Sequence, residues 1–240
     1  MNKQGNTYTI IYIVVLVLVV GAALAATSIA LRPRQQANAD ADKMRQILAS
    51  VGIEAPAGDI IAAYDKYITR TFVVDSNGGI VSDAPAAFSV NVAAQSKEAA
   101  AGRLLPVYEC TLADGSVKYI LPMYGAGLWG PIWGYLSVDS DGTTVYGAFF
   151  AHQGETPGLG AEIEKPAFSG QFAGKHLIGA GGTFAPIAVV KAGMKAPEGC
   201  DYVDGVSGGT ITSKGVGAMI DNCLAPYAPF LKNLANDNTK

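Results

Sequence analysis

The chain has 240 residues, of which 50% are hydrophobic and 15% are charged, and its formal net charge is −3. This length allows one substantial domain, or one domain with an appendage. The low charged fraction argues against a disordered chain, and the near-neutral charge leaves no basic stripe to follow a nucleic-acid backbone.

The first predicted element is an apolar segment that carries no charge between Lys3 and Arg32. A bilayer-spanning helix needs about 20 apolar residues. We therefore predict a short tail over residues 1–7 and a transmembrane anchor over residues 8–31. A cleaved signal peptide is the alternative, because the small residues at 23–26 resemble a cleavage site, but the long apolar run and its weakly positive start favour the anchor.

The charges that flank this segment do not fix its orientation. Lys3 and the amino terminus on one side nearly balance Arg32 and Arg34 on the other, and an excess of positive charge is what marks the cytoplasmic side. The flanking residues alone therefore do not predict on which side of the membrane the rest of the chain lies. A polar linker over residues 32–43 follows.

Residues 44–240 are predicted to form one α+β domain, with helices first, a sheet in the middle and a helix last. Apolar residues at helical spacing predict helices within 42–53 and over 59–68. Alternating apolar residues predict a hairpin over 134–153, with its turn at 139–142. Further strands are predicted over residues 70–75, 88–93, 118–125 and 184–193.

The carboxy-terminal part of the domain is predicted to be helical. A helix begins near Ser213, because apolar residues between 216 and 223 recur at helical spacing, and Pro226 interrupts it. The glycine- and hydroxyl-rich residues 204–216 lead into this helix.

The cysteines and histidines match no metal-ligand pattern, and no metal site is expected. Cys110, Cys200 and Cys223 form no CxxC pair, and an odd number excludes a complete framework of intrachain disulfides. We expect buried thiols, with a Cys200–Cys223 bridge open if the domain lies outside the cytoplasm. HExxH and the P-loop motif are absent from the sequence, which argues against the zinc peptidase and P-loop nucleotide sites that these motifs build. Residues 205–209, GVSGG, have the GxSxG spacing, but no acid–histidine pair is placed to serve the serine of a hydrolase. Residues 125–130, GAGLWG, have the GxGxxG spacing, but strands rather than a following helix are predicted around them, so a Rossmann nucleotide site has no support.

Three stretches stand out by their composition. Residues 127–136, GLWGPIWGYL, combine both tryptophans of the chain with glycines, and indole faces stack well on a flat ring. Residues 155–163, ETPGLGAEI, hold glycines that allow a ligand to approach the backbone. Residues 204–216, DGVSGGTITSKGV, bring hydroxyls to a helix start, where N–H groups favour an anion. A core hairpin, a Pro-Gly turn and a helix cap at Thr212 or Ser213 are the ordinary alternatives.

The second and third stretches together resemble the FMN-binding domain of flavin subunits in bacterial membrane redox pumps. The resemblance is to the C subunits of Na+-translocating NADH:quinone reductases. The related G subunits of Rnf ferredoxin:NAD+ oxidoreductases share both motifs and are the alternative, but the GLW stretch with its WGYL continuation favours the former. The resemblance covers essentially the whole chain. It implies a single amino-terminal transmembrane helix followed by one FMN-binding α+β domain.

In this family a flavin transferase esterifies the last threonine of an Asp-x-x-Ser/Thr-Gly-Ala-Thr pattern with the phosphate of FMN, and FAD is the donor. The resemblance therefore implies that Thr210 carries a covalent FMN and that Asp204, Ser207, Gly208 and Gly209 are recognition residues. The family usually has alanine at the position of Gly209, where the smaller glycine should be tolerated.

The resemblance also implies which residues surround the flavin. Glu155 and Thr156 are expected to offer polar contacts to the isoalloxazine, Leu159 to lie against it, and Trp129 or Trp133 to help cover it. No residue is expected to be catalytic. The expected cofactor-binding residues are Thr210, Asp204, Ser207, Gly208, Gly209, Thr212, Glu155, Thr156, Gly158, Leu159, Gly160, Leu128 and Trp129.

The implied role is that of an electron relay in an oxidoreductase complex of the bacterial inner membrane, with the soluble domain in the periplasm. Electrons would arrive from a membrane iron–sulfur centre and pass to a second covalent FMN on the B subunit, then to riboflavin and quinone. The B, D and E subunits are the expected neighbours, and the assembled complex pumps sodium. An anchored binding domain that never receives flavin is the remaining alternative.

Overall fold

A computed structural model describes residues 5–81, 85–179, 182–194 and 197–237 of the chain. Residues 1–4 of the tail expected over residues 1–7 lie outside these ranges. The helices are α1 (Asn6–Ala49), α2 (Ile60–Tyr67), α3 (Val92–Gln95), α4 (Pro166–Ser169), α5 (Thr210–Leu224) and α6 (Ala228–Asp237). The strands are β1 (Ile68–Val74), β2 (Leu105–Thr111), β3 (Val117–Ala126), β4 (Pro131–Asp139), β5 (Val145–His152), β6 (Ala188–Lys191) and β7 (Tyr202–Gly205).

The chain divides into two compact units, residues 1–43 and residues 44–240. The first unit is helical from residue 6 and is long and apolar enough to cross a membrane, with a mean hydropathy of 2.8 in its most apolar window. Residues 32–43, predicted as a polar linker, are helical too. Alanine favours the helix there, and Gln36 Nε2 donates a 2.9 Å hydrogen bond to Asp40 Oδ1 one turn on.

The second unit is the α+β domain predicted from the sequence. Its main sheet is an antiparallel meander of five strands in the order β1-β2-β3-β4-β5. The β3–β4 pairing runs from Lys118 opposite Asp139 to Ala126 opposite Pro131, so residues 127–130 form the turn at one end of the sheet. β6 and β7 form a separate parallel pair.

Both faces of the sheet are covered, as alternating side chains require. On one face, α5 lies so close to β3 that a Cβ on Gly125 would sit 2.7 Å from the Met219 Cβ. On the other face, the end of α1 packs against β4, where Trp133 Nε1 donates to Gln46 Oε1 at 2.9 Å and Ser137 Oγ donates to the Ser50 carbonyl at 2.6 Å. The core on the α5 face joins sheet residues such as Leu121 and Leu136 to Val216, Ile220 and Leu224 of the helix.

Several predicted elements need correction. The strand expected over residues 88–93 is wrong, because Asn91 Oδ1 accepts the Ala94 N–H at 3.1 Å and starts the short helix α3 instead. β2 was not predicted, since it is buried on both faces and shows no alternation. β7 was not predicted either, and the strand expected over residues 184–193 is limited to β6. The last helix begins three residues before the predicted Ser213, at Thr210.

The cysteines are all free thiols in the structure. Cys110 and Cys223 are buried, and Cys200 is partly exposed. Burial raises the pKa of the Cys110 thiol to about 11. The structure has no Cys200–Cys223 bridge, and the expectation of buried thiols is confirmed for Cys110 and Cys223 but is wrong for Cys200.

Candidate cofactor-binding site

Three segments that are distant in sequence meet beyond one end of the sheet and enclose a pocket of about 390 Å³. They are the β3–β4 turn, the segment that follows β5, and the start of α5. All three belong to the stretches singled out from the sequence. The pocket is lined by Leu128, Trp129, Glu155, Thr156, Leu159, Gly160, Gly208, Gly209, Thr210, Ile211 and Thr212.

The β3–β4 turn presents two large apolar side chains to the pocket. The Gly127 N–H donates to the Gly130 carbonyl at 2.8 Å and closes the turn. Leu128 and Trp129 at its tip are 48% and 70% exposed, so two large apolar side chains lie next to each other at the surface. Trp133 does not line this pocket, because it belongs to β4 and its indole is directed to Gln46.

The segment after β5 is a tight turn that brings Leu159 beside the pocket. The Thr156 carbonyl accepts the N–H groups of Leu159 and Ala161, both at 3.1 Å. Gly158 has a φ of 75°, a conformation that favours glycine, and its N–H donates to Glu162 Oε1 at 3.0 Å. Gly158 therefore shapes the turn from outside the pocket lining.

The start of α5 lies backbone to backbone against this turn. Gly208 has a φ of 75°, and a Cβ there would sit 2.5 Å from Leu159 Cδ2. A Cβ on Gly209 would sit 3.2 Å from the Gly160 nitrogen, tighter than ordinary van der Waals contact. Gly208 is therefore favoured by its positive φ, whereas an alanine at position 209 would need the facing backbone of Leu159 and Gly160 to shift by only a few tenths of an ångström. Gly209 also replaces the expected hydroxyl cap, because no side chain caps α5 and its first N–H groups remain directed away from the helix.

The four hydroxyls of this stretch fall into two classes. Thr212 and Ser213 are buried, and each is engaged, since Thr212 Oγ1 donates to Glu155 Oε2 at 2.6 Å and Ser213 Oγ accepts the Val206 N–H at 2.9 Å. The helix cap expected from Thr212 or Ser213 is therefore wrong, because both lie inside the first turns of α5. Thr210 and Ser207 are exposed.

Glu155 is the buried acid of the site, with 4% of its surface exposed. Its carboxylate accepts the Trp129 N–H at 2.8 Å in addition to the Thr212 hydroxyl. Burial by itself raises the pKa of this carboxyl, but the Thr212 hydroxyl and the backbone N–H groups of the β3–β4 turn lower it by more, so the pKa lies below its ordinary value. Glu155 is consequently ionised at neutral pH.

Asp204 and Ser207 lie near the pocket without lining it. Asp204 is exposed at the end of β7, and its backbone is held by Gln171, whose Oε1 accepts the Asp204 N–H at 2.8 Å and whose Nε2 donates to the Asp204 carbonyl at 3.2 Å. Ile211 lines the pocket and is 56% exposed, although it is not among the residues predicted to bind the cofactor. The sequence signal that could have indicated Ile211 is its position directly after Thr210, the predicted attachment residue.

Comparison with known proteins connects this site to one family. The family described as FMN-binding domain matches residues 127–225, a range that contains every residue of the pocket. Over 211 residues the chain is 35% identical to the C subunit of the Na(+)-translocating NADH-quinone reductase of Vibrio vulnificus, and the match covers 81% of this chain and 82% of the relative.

Two crystal structures of such subunits share the fold. The C subunit from Parabacteroides distasonis is 49% identical with a TM-score of 0.77, covering 84% of this chain and 96% of that chain. The NqrC of Shewanella oneidensis is 25% identical with a TM-score of 0.67, covering 83% of this chain and 99% of that chain.

Proposed function

The chain belongs to the family of C subunits of the Na+-translocating NADH-quinone reductases, and on that basis we propose that it relays electrons through an FMN joined by a phosphodiester to Thr210. It is thus a subunit of a membrane-associated oxidoreductase complex and carries an FMN-binding domain. The observation that supports the tether is the position of Thr210. It is an exposed hydroxyl residue at the mouth of the pocket and the first residue of α5.

Accessibility favours Thr210 over its neighbours as the modified residue. Thr212 and Ser213 are buried and already hydrogen-bonded within the protein. A transferase would have to break these contacts to reach either hydroxyl. Ser207 is exposed but stands outside the pocket lining. Thr210 alone among the four combines exposure with a place in the pocket.

The residues present fit FMN. The uncapped first turn of α5 offers backbone N–H groups and the positive end of a helix dipole to a phosphate. Leu128, Trp129, Leu159 and Ile211 offer exposed apolar surface to a flat ring. The pocket volume of about 390 Å³ lies in the range of small-molecule sites.

The attachment step is a transfer of FMN from FAD by a flavin transferase. A bond forms between the Thr210 Oγ and the phosphorus of the FMN moiety, while the pyrophosphate P–O bond of FAD breaks and AMP leaves. The hydroxyl proton is released to solvent, and no electron is transferred. Asp204 and Ser207 are the exposed residues through which the transferase recognises this loop.

Bound FMN supplies one-electron redox chemistry, and the protein supplies its binding, orientation and electrostatics. The apolar residues around the pocket hold the ring and exclude water from one side of it. The tether keeps the cofactor from being lost outside the cytoplasm. In the proposed complex, electrons would arrive from a membrane iron–sulfur centre and would pass on to a second covalent FMN on the B subunit, then to riboflavin and quinone.

In this proposal α1 anchors the chain in the bacterial inner membrane, and the domain of residues 44–240 is periplasmic. The B, D and E subunits are the neighbours within the six-subunit complex. The names of the relatives support the quinone reductase rather than an Rnf complex. The orientation is tested with spheroplasts, where an impermeant label should reach the exposed Lys214. Labelling only after lysis would contradict a periplasmic domain.

The tether is tested by producing the full chain together with a flavin transferase. Wild type and the Lys214→Ala control should fluoresce in a denaturing gel and gain the mass of an FMN phosphodiester, whereas Thr210→Ala should remain dark. Lys214 is an exposed residue on the same helix. Its side chain has no hydroxyl, so Lys214→Ala leaves every possible attachment oxygen in place. Equal signals from wild type and Thr210→Ala, bright or dark, would refute the proposal.

A further inference from the structure

The carboxylate of Glu155 joins all three segments of the pocket. Glu155 itself begins the turn after β5. One carboxylate oxygen, Oε1, accepts the Trp129 N–H of the β3–β4 turn at 2.8 Å. The other, Oε2, accepts the Thr212 hydroxyl of α5 at 2.6 Å. Both oxygens are thus held within the protein, and each bond reaches a different wall of the pocket.

The backbone around Glu155 is shaped to admit this carboxylate. A Cβ on Gly127 would sit 2.5 Å from Oε1, and a Cβ on Gly160 would sit 2.5 Å from both Oε2 and Thr212 Oγ1. Neither glycine has a positive φ, so space rather than conformation requires them. This steric evidence is independent of the hydrogen bonds, and it also indicates that the pocket walls are shaped around the Glu155 carboxylate.

The hydrogen-bond geometry suits an ionised acid, which accepts at both oxygens. A backbone N–H can only donate, so Oε1 must accept. The 2.6 Å separation of Thr212 Oγ1 from Oε2 falls in the range of charge-assisted O–H···O⁻ bonds, about 2.5–2.7 Å. A buried charge of this kind is screened little by salt and acts strongly on a ligand beside it.

We propose that Glu155 is the positioning residue of the site, whose carboxylate holds the three walls together and whose fixed negative charge lowers the reduction potential of FMN in the pocket. This inference rests on the proposed function. The charge acts because each electron added beside a buried anion is repelled by it. Glu155 then has two separable effects, one on shape and one on charge.

Glu155→Gln separates the two effects. The amide oxygen accepts the Trp129 N–H, and the amide nitrogen donates to Thr212 Oγ1, since a hydroxyl oxygen also accepts. The shape is retained and the charge is lost. Glu164→Gln is the matched control, because it makes the same charge change nearby at a carboxylate whose side chain is 42% exposed.

The experiment is a redox titration of the flavinylated full chain and its two variants, with flavin content measured in the gel. Glu155→Gln should keep its flavin and favour reduction by about tenfold, which is a positive shift of about 59 mV for a one-electron couple. Glu164→Gln should shift the equilibrium by less than about twofold, because solvent screens an exposed charge. A potential for Glu155→Gln within the range of the control would overturn the inference.

Two further measurements test the role of the charge and the positioning role separately. Glu155→Asp keeps the charge, so its loaded fraction should retain the wild-type potential, and a positive shift there would contradict the role of charge. Glu155→Ala without flavin should change the emission of Trp129 more than Glu164→Ala does, and equal spectra would contradict the positioning role.

A Glu155→Gln chain that unfolds or stays unloaded also contradicts the inference, because the amide satisfies both partners. A wild type without flavin would instead refute the proposed function and this inference with it.

Discussion

Thr212 donates a 2.6 Å hydrogen bond to Glu155 although the two residues are 57 positions apart in the chain. The bond is buried and links the first turn of α5 to the turn after β5. It thereby ties the helix that begins with Thr210 to the rest of the pocket.

Thr212→Val is expected to destabilise the domain by about 1.5–3 kcal/mol, because the buried carboxylate loses a hydrogen bond without gaining solvent. Thr210→Val is the matched control, and its exposed side chain should leave stability within about 0.5 kcal/mol. Urea unfolding of the flavin-free chain measures both. Equal stabilities of the two variants would show that the Glu155–Thr212 bond contributes nothing.

Gly160→Ala is expected to cost about 1–3 kcal/mol, because its Cβ would lie 2.5 Å from both Glu155 Oε2 and Thr212 Oγ1. Gly154→Ala, in the same connection, would place its Cβ in open space and should be nearly neutral. Thermal unfolding compares the two. A neutral Gly160→Ala would indicate that the site has more room than the structure shows.

Acid should weaken the domain partly through Glu155. Burial raises the pKa of its carboxyl, but the hydrogen bonds from Thr212 and from the β3–β4 turn lower that pKa by more than burial raises it. The folded pKa therefore lies below the ordinary 4.5. Because the folded pKa is the lower one, the stabilisation is complete above about pH 4.5 and is lost as the pH falls through the folded pKa.

The free energy of unfolding of wild type and Glu155→Gln, measured between about pH 7 and pH 3, tests this linkage. The advantage of the wild type should shrink toward acid pH, since the variant has no carboxyl to titrate at this position. Other acids titrate equally in both chains and cancel. A constant difference across the range would mean that Glu155 has the same pKa folded and unfolded.

Ser213→Ala should leave flavin attachment intact and destabilise the domain by about 1–2 kcal/mol. The reason is that the Val206 N–H loses its 2.9 Å acceptor, not that a helix cap is removed. Lys214→Ala is the exposed control on the same helix. In-gel fluorescence and urea unfolding give the two readouts, and a dark Ser213→Ala chain would implicate this hydroxyl in attachment.

The two tryptophans should report differently on the flavin. Trp129 is 70% exposed at the pocket, whereas Trp133 is bonded to Gln46 on the other side of the sheet. In Trp133→Phe, which leaves Trp129 as the reporter, flavin attachment should quench the emission strongly. In Trp129→Phe the quenching should be weaker. The opposite order would place the flavin elsewhere.

The sequence predicted the elements whose signals are local. Helical spacing located α2 and most of α5, and alternation located the β4–β5 hairpin, because these periods follow from the geometry of a single element. It missed β2, where burial on both faces removes the alternation and Pro106 weakens a strand signal. At residues 88–93 the cap formed by Asn91 outweighed a run of apolar residues.

The residues alone indicated three separate stretches, and the family resemblance placed them around one flavin without indicating the contacts that join them. Which oxygen of Glu155 faces which partner depends on contacts between distant segments, and no local pattern records them. The roles of Trp129 and Trp133 looked alike in the sequence, and only their places in a turn and in a strand separate them. The hydroxyls of Thr212 and Ser213 were likewise open to a capping role until the start of α5 was located.

The end of α1 has a practical consequence for anyone who wishes to study the domain in water. Ile47 and Leu48 are fully buried, and Gln46 and Ser50 bond to β4. A truncation that removed the whole amino-terminal helix would therefore expose the face of the sheet opposite α5. A soluble fragment should begin no later than Met44, and natural shedding of an intact domain would require a cut upstream of that residue.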